Sequence, residues 1–163
     1  MTAEKPITGI LVTLDIADRQ ALFIMLASDG AINRMGSGSV TINRMGSASV
    51  NKTDRIMFIG CTSLELFEGL RQRVGADLLR WIGEYADPSP RGELCRLTVG
   101  FQHDDGSESM SRWQYGAESQ GPAPEVRGFV RAALESTDPW FQKQKLMAQP
   151  KWKRVLRTLF APK

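Results

Sequence analysis

The densest group of side chains able to do chemistry is His103-Asp104-Asp105-Gly106-Ser107-Glu108. Such oxygen-rich runs can hold a divalent cation. Here the carboxylates do not alternate as they do in an EF-hand loop, and Asp-Gly supplies the backbone geometry of a tight turn. The favoured reading is a polar hairpin turn. His103 is the only histidine of the chain. A Ser-His or Cys-His nucleophile would therefore depend on it, and it stands beside a turn expected to be exposed. No G-x-S-x-G pattern, no G-x-G-x-x-G pattern and no P-loop occurs. A zinc site of four cysteines, or of two cysteines and two histidines, is excluded by count. Cys61 and Cys95 fall at or inside predicted strands, where thiols act as small apolar groups. No metal and no cofactor is expected. Glu93, Glu108 and Glu118 lie on or near a predicted second hairpin, which keeps carboxylate acid–base catalysis open as one class of function.

Two other features concern binding. Residues 31–50 read AINRMGSGSV TINRMGSASV, a ten-residue segment written twice with two differences. Gly-Ser backbone amides with Arg34 and Arg44 could form an anion-binding nest. The alternative is a lengthened hairpin or surface loop, because chain entropy penalises added loop length only logarithmically. Ten is even, so in an extended strand Ile32, Arg34 and Val40 share a face with Ile42, Arg44 and Val50. In a helix the same insertion would rotate all that follows by roughly 80°. The segment is therefore expected in strand or loop, at the periphery of a sheet. Arg112, Trp113 and Tyr115 cluster on one predicted strand. The aromatic pair could stack bases, but packing beneath a helix is the preferred reading.

Charge is segregated along the chain. Seven of the 21 basic residues, and none of the 18 acidic ones, lie between Pro139 and Lys163. The rest is net acidic. In the tail, Trp152, Val155, Leu156, Leu159 and Phe160 fall at i, i+3, i+4, i+7 and i+8, with Lys151, Lys153, Arg154 and Arg157 on the other side. That spacing predicts a basic amphipathic helix. Such a helix can dock into a partner's groove, lie on an anionic membrane or neutralise phosphates. It can also pack on its own body.

The elements that must position these residues follow from periodicity. Residues 7–17 and 21–28 read as strands, joined later to AINRMG by Asp29-Gly30, a strong hairpin signal. Residues 55–61 make a fourth strand. Thr62-x-x-Glu65 resembles a capping box. Apolar residues Phe67, Leu70, Val74, Leu78, Trp81 and Tyr85 then predict one helical face, interrupted near its middle by Gly75. Residues 92–102 and 108–118 form the second hairpin. A helix begins at Pro124, and Ser136-Thr137-Asp138-Pro139 is expected to end it and start another. Strands first and helices later indicate an α+β fold. The expected architecture is an antiparallel sheet, a meander plus a second hairpin, with helices packed on one face and a C-terminal amphipathic helix. Residues 1–148 are expected to form one domain and 149–163 the basic helix.

The chain shows no secretory leader or membrane-spanning run, so cytoplasmic residence is expected. The expected function is a binding module that contacts a protein partner, or a second copy of itself, through Lys151, Trp152, Lys153, Arg154, Leu156, Arg157 and Phe160. The alternative is a nucleic-acid-binding protein using that tail with Arg34 and Arg44. An anionic membrane surface is a further partner class. A carboxylate enzyme around the second hairpin is the third reading.

Overall fold

The computed structural model describes residues 4–36, 56–150 and 158–159. Strands β1 (Ile7–Ile16), β2 (Arg19–Ala27), β3 (Ala31–Met35) and β4 (Phe58–Cys61) come first. Helices α1 (Leu64–Arg71) and α2 (Ala76–Leu79) follow, then β5 (Gly83–Ala86), β6 (Leu94–His103), β7 (Glu108–Gly116) and the long helix α3 (Pro124–Met147). One seven-stranded sheet results, ordered β4-β3-β2-β1-β6-β7-β5. The meander and the second hairpin are both present, with β6 beside β1. The class is α+β, as expected. The Asp29-Gly30 turn joins β2 to β3, with Gly30 at φ +90°, a left-handed value that glycine adopts without strain. A Cβ there would stand 2.6 Å from the Thr62 carbonyl oxygen.

Alternation decides which side of the sheet is buried. Ile10, Val12, Leu14 and Ile16 of β1 share that side with Leu22, Ile24 and Leu26 of β2, Ile32 of β3, and Cys95, Leu97, Val99 and Phe101 of β6. They form one cluster with Phe67 and Leu70 of α1, Leu78 of α2, and Val126, Phe129, Val130, Ala133 and Leu134 of α3. Each such apolar side chain contributes about 1.5–3 kcal/mol on burial.

Contacts trace the path of α3 across this side. The Arg80–Glu125 ion pair ties its first turn to the stretch before β5. Phe129 meets Phe101 of β6 edge-on at 5.6 Å. Thr137 is reached by Arg34 of β3, and Phe141 packs edge-on against Phe58 of β4 at 5.8 Å. A helix of 24 residues is about 36 Å long, and seven strands span about 29 Å. The C-terminal turns of α3 therefore emerge at the β4 edge.

Four expectations are corrected. The helical face from Phe67 to Tyr85 is not one helix: after α1 and the short α2, Gly83–Ala86 forms β5, parallel to β7. The sheet is therefore mixed, not purely antiparallel. Tyr85 kept its apparent helical spacing because it faces the same aromatic cluster from a strand. It stacks on Trp113 at 4.2 Å, and Trp81 closes the cluster at 5.6 Å from Trp113. The capping box does not form. Ser63, not Thr62, is the N-cap of α1, and it makes no side-chain cap. Thr62 Oγ1 instead donates to the Gly30 carbonyl, 3.3 Å away. Finally, α3 runs through Pro139 without a reset at Asp138. Beyond Gly36, the doubled segment lies outside the described residues.

Candidate functional site

Arg34 was a candidate anion contact. Alternation from Ile32 puts it on the buried side of β3, where it is 0% exposed. Nη2 pairs with Asp138 Oδ1 at 2.8 Å, and Nη1 donates to Thr137 Oγ1 at 2.7 Å and to the Leu134 carbonyl at 3.3 Å. The guanidinium lies over the Phe141 ring, 4.5 Å from its centroid. Burial pushes its pKa down, and Asp138 pushes it back up. This cluster fastens β3 to α3, and the anion Arg34 holds is the chain's own. Asp138 is a partner that sequence reasoning assigned to a helix cap. Arg44 lies outside the described residues.

The second hairpin builds a polar turn. Lys5 pairs with Asp105 at 2.6 Å, and the Asp105 carboxylate also accepts from the Ser107 hydroxyl and N–H. Lys5 and Ser107 hold its pKa well below the usual carboxylate range. His103 Nδ1 lies 3.2 Å from the Lys5 carbonyl, and Nε2 lies 2.8 Å from Ser109 Oγ. In the neutral ring Nδ1 must donate to that carbonyl, so Nε2 accepts from Ser109. The ring thus ties the hairpin to the segment that leads into β1. Glu93, Glu108 and Glu118 are all exposed. Among the described residues, no group of three or more His, Cys, Asp and Glu side chains could hold a metal ion. Cys95 is buried and Cys61 exposed, both as free thiols. Burial pushes the Cys95 thiol up. Trp113 and Tyr115 lie on the buried side, where Trp113 Nε1 donates to Ser111 Oγ at 2.7 Å. They are packed as the preferred reading expected.

Two further regions carry exposed apolar side chains among the described residues. Of the tail, Thr158 and Leu159 are described, both helical and exposed. Leu159 belongs to the predicted apolar stripe and is 70% exposed. Lys151, Trp152, Lys153, Arg154, Leu156, Arg157 and Phe160 lie outside the described residues. Leu146 and Met147, at the end of α3, are also exposed.

The other side of the sheet, here the open face, carries a second apolar set. Cross-strand register aligns Ile59, Asn33, Met25, Leu11, Gly100 and Met110 in one row from β4 to β7. Ile59 is 75% exposed, and Met25 and Met57 are exposed as well. A trough of about 130 Å³ opens where Gly9 and Gly100 bring no side chains, between Met25 and Met110. A second depression, about 280 Å³, lies by Arg96, Thr98, Arg112 and Gln114. Sequence reasoning passed over this face. Its signal was the run Ala21-Leu-Phe-Ile-Met-Leu-Ala27, apolar at every position. A strand with one wet face alternates, whereas a continuous apolar run marks a strand covered on both faces.

Comparisons with known protein families, with curated proteins and with solved structures found no match. No helix among the described residues is long and apolar enough to cross a membrane.

Proposed function

We propose that this chain is an interaction module, its helices lying on one face of the sheet and its basic amphipathic C-terminal helix contacting a protein partner. One observation carries the reading: Leu159, within the apolar stripe of that helix, is 70% exposed. Packing on its own body would bury the stripe. Among the described residues, the core cluster of the body draws on Ile7 to Trp140 and does not include Leu159. The basic side of the helix, Lys151, Lys153, Arg154 and Arg157, would steer it toward an acidic surface.

Nucleic acid is the weaker partner class, because Arg34 is already paired with Asp138 inside the fold. Catalysis by Glu93, Glu108 and Glu118 has no support from their exposure, since such work calls for a carboxylate in a cavity with a raised pKa.

The test compares the full chain with one carrying Leu156→Glu and Leu159→Glu. Binding to acidic protein surfaces, to an oligonucleotide and to anionic vesicles is measured at two salt concentrations. Protein binding that is lost in the variant, with an unchanged circular dichroism spectrum, is the expected result. Loss of folded structure in the variant would make the tail part of the core and overturn the reading. Binding confined to the oligonucleotide or the vesicles would replace the protein partner by that class.

A further inference from the structure

We propose that the open face of the sheet is the docking site for the C-terminal helix of a second copy of this chain. The inference rests on the reading of the tail as a contact surface and names its partner.

The first ground is the sequence of the central strands. Residues 21–27 are apolar throughout, and β1 places Leu11 on the open side between buried Ile10 and Val12. That pattern fits a sheet covered on both faces. Among the described residues, α3 covers one.

The second ground is shape. The row from Ile59 through Met25 and Leu11 to Met110 runs across six strands, about 24 Å, long enough to seat a ten-residue helix of about 15 Å. The Gly9–Gly100 trough gives one aliphatic side chain a seat, and the flanking methionines adapt to what enters.

Charge is the third ground. The tail from Gln149 carries five basic residues, Lys151, Lys153, Arg154, Arg157 and Lys163, and no acidic one, and the rest of the chain is net acidic. On the open face, Arg112 pairs with Glu84 and Arg96 with Asp18. Asp15 and Glu108 have no ion pair among the described residues and are available to the tail's lysines and arginines.

Reach decides between a chain's own tail and its neighbour's. α3 ends at the β4 edge on the buried side, where Trp140 packs over Gly60 and Phe141 over Phe58. Moving from the α3 layer to the far side of the sheet covers roughly 20 Å, two layer spacings of about 10 Å each. Ala148–Pro150 spans at most about 10 Å. The helix expected from the sequence at Lys151 would by this reach fall short of its own open face, and another chain's face is the one it could meet. Reciprocal exchange of two tails closes a two-fold dimer.

The test uses full-length chains in sedimentation equilibrium. Two face variants are made, Met25→Glu and Gly100→Val, and one tail variant, Leu156→Glu with Leu159→Glu. The three atoms nearest a Cβ on Gly100 are side-chain atoms of Met110 and Leu11, the closest at 3.5 Å, so a side chain there is directed into the trough. The parent should be a dimer, and each variant alone should dissociate at least about tenfold more readily. Mixing Met25→Glu with the tail variant should restore a heterodimer, because one intact tail then meets one intact face. A parent that stays monomeric at every concentration overturns the inference, as do face variants that dimerise like the parent. In either case binding of an acidic protein by the parent, lost in the tail variant, would leave the proposed function standing.

Discussion

At the scale of single residues, the Arg34–Asp138 pair separates two kinds of loss. The Arg34 side chain is fully enclosed, whereas that of Asp138 is 37% exposed. Removing the carboxylate leaves a buried cation with neutral acceptors only. Removing the cation leaves a carboxylate that can turn to water. Deleting one partner of a buried pair typically costs about 3–5 kcal/mol, while replacing buried ionic groups by apolar ones of similar volume is often neutral. Asp138→Ala is therefore expected to cost about 3–5 kcal/mol, and Arg34→Met at most about 1 kcal/mol. Urea unfolding midpoints would measure both. Equal costs would mean that the hydrogen bonds from Arg34 to Thr137 and Leu134, lost only in Arg34→Met, weigh as much as the ion pair. The face of Arg34 could have been read from the sequence, because it stands two residues from Ile32 in a strand. Its partner, 104 residues away, could not. Charge and type are local, and pairing across a fold is not.

At the scale of elements, the strands were legible and the helix boundaries were not. Period-two runs and Asp-Gly turns act locally, so β1 to β3, β6 and β7 emerged close to their expected bounds. The spacing from Phe67 to Tyr85 misled because an aromatic cluster built from a helix end and a strand can mimic helical periodicity. Ser136-Thr137-Asp138-Pro139 misled because its cap-like residues have other duties. Thr137 Oγ1 donates back to the Ala133 carbonyl at 2.7 Å, and Asp138 holds Arg34. Tertiary contacts thus carry α3 past a residue that removes one helical hydrogen bond. This gives a prediction that distinguishes the two descriptions. Because Pro139 lies inside α3, Pro139→Ala restores a helical N–H, and stability should rise by about 1 kcal/mol or more. If Pro139 instead opened a new helix, alanine would lose a preorganised first position and stability would fall slightly. The urea midpoint decides the sign.

At the scale of the whole molecule, the fold has an imbalance that a single chain does not resolve. One side of the sheet carries α3 and a closed core, while the other presents Met25, Leu11, Ile59 and Met110 in register with no element over them among the described residues. In the tail, Leu159, a member of the apolar stripe expected from the sequence, is exposed. Under the proposed exchange, two surfaces of this kind satisfy each other between copies. Stability then becomes linked to association, because anything that binds the folded state alone raises its melting temperature by mass action. For a dimer, each tenfold rise in concentration adds about 1.4 kcal/mol per pair, about half of that per chain, and so roughly 2 °C. The full chain should therefore melt higher as its concentration rises, in scanning calorimetry across a hundredfold range. A chain ending at Gln149 should melt at a constant temperature, near that of the full chain when dilute, because it keeps every residue of the core cluster found among the described residues. Salt should lower the concentration dependence of the full chain without touching the truncated one, since truncation removes Lys151, Lys153, Arg154, Arg157 and Lys163, the charges proposed to meet the acidic body.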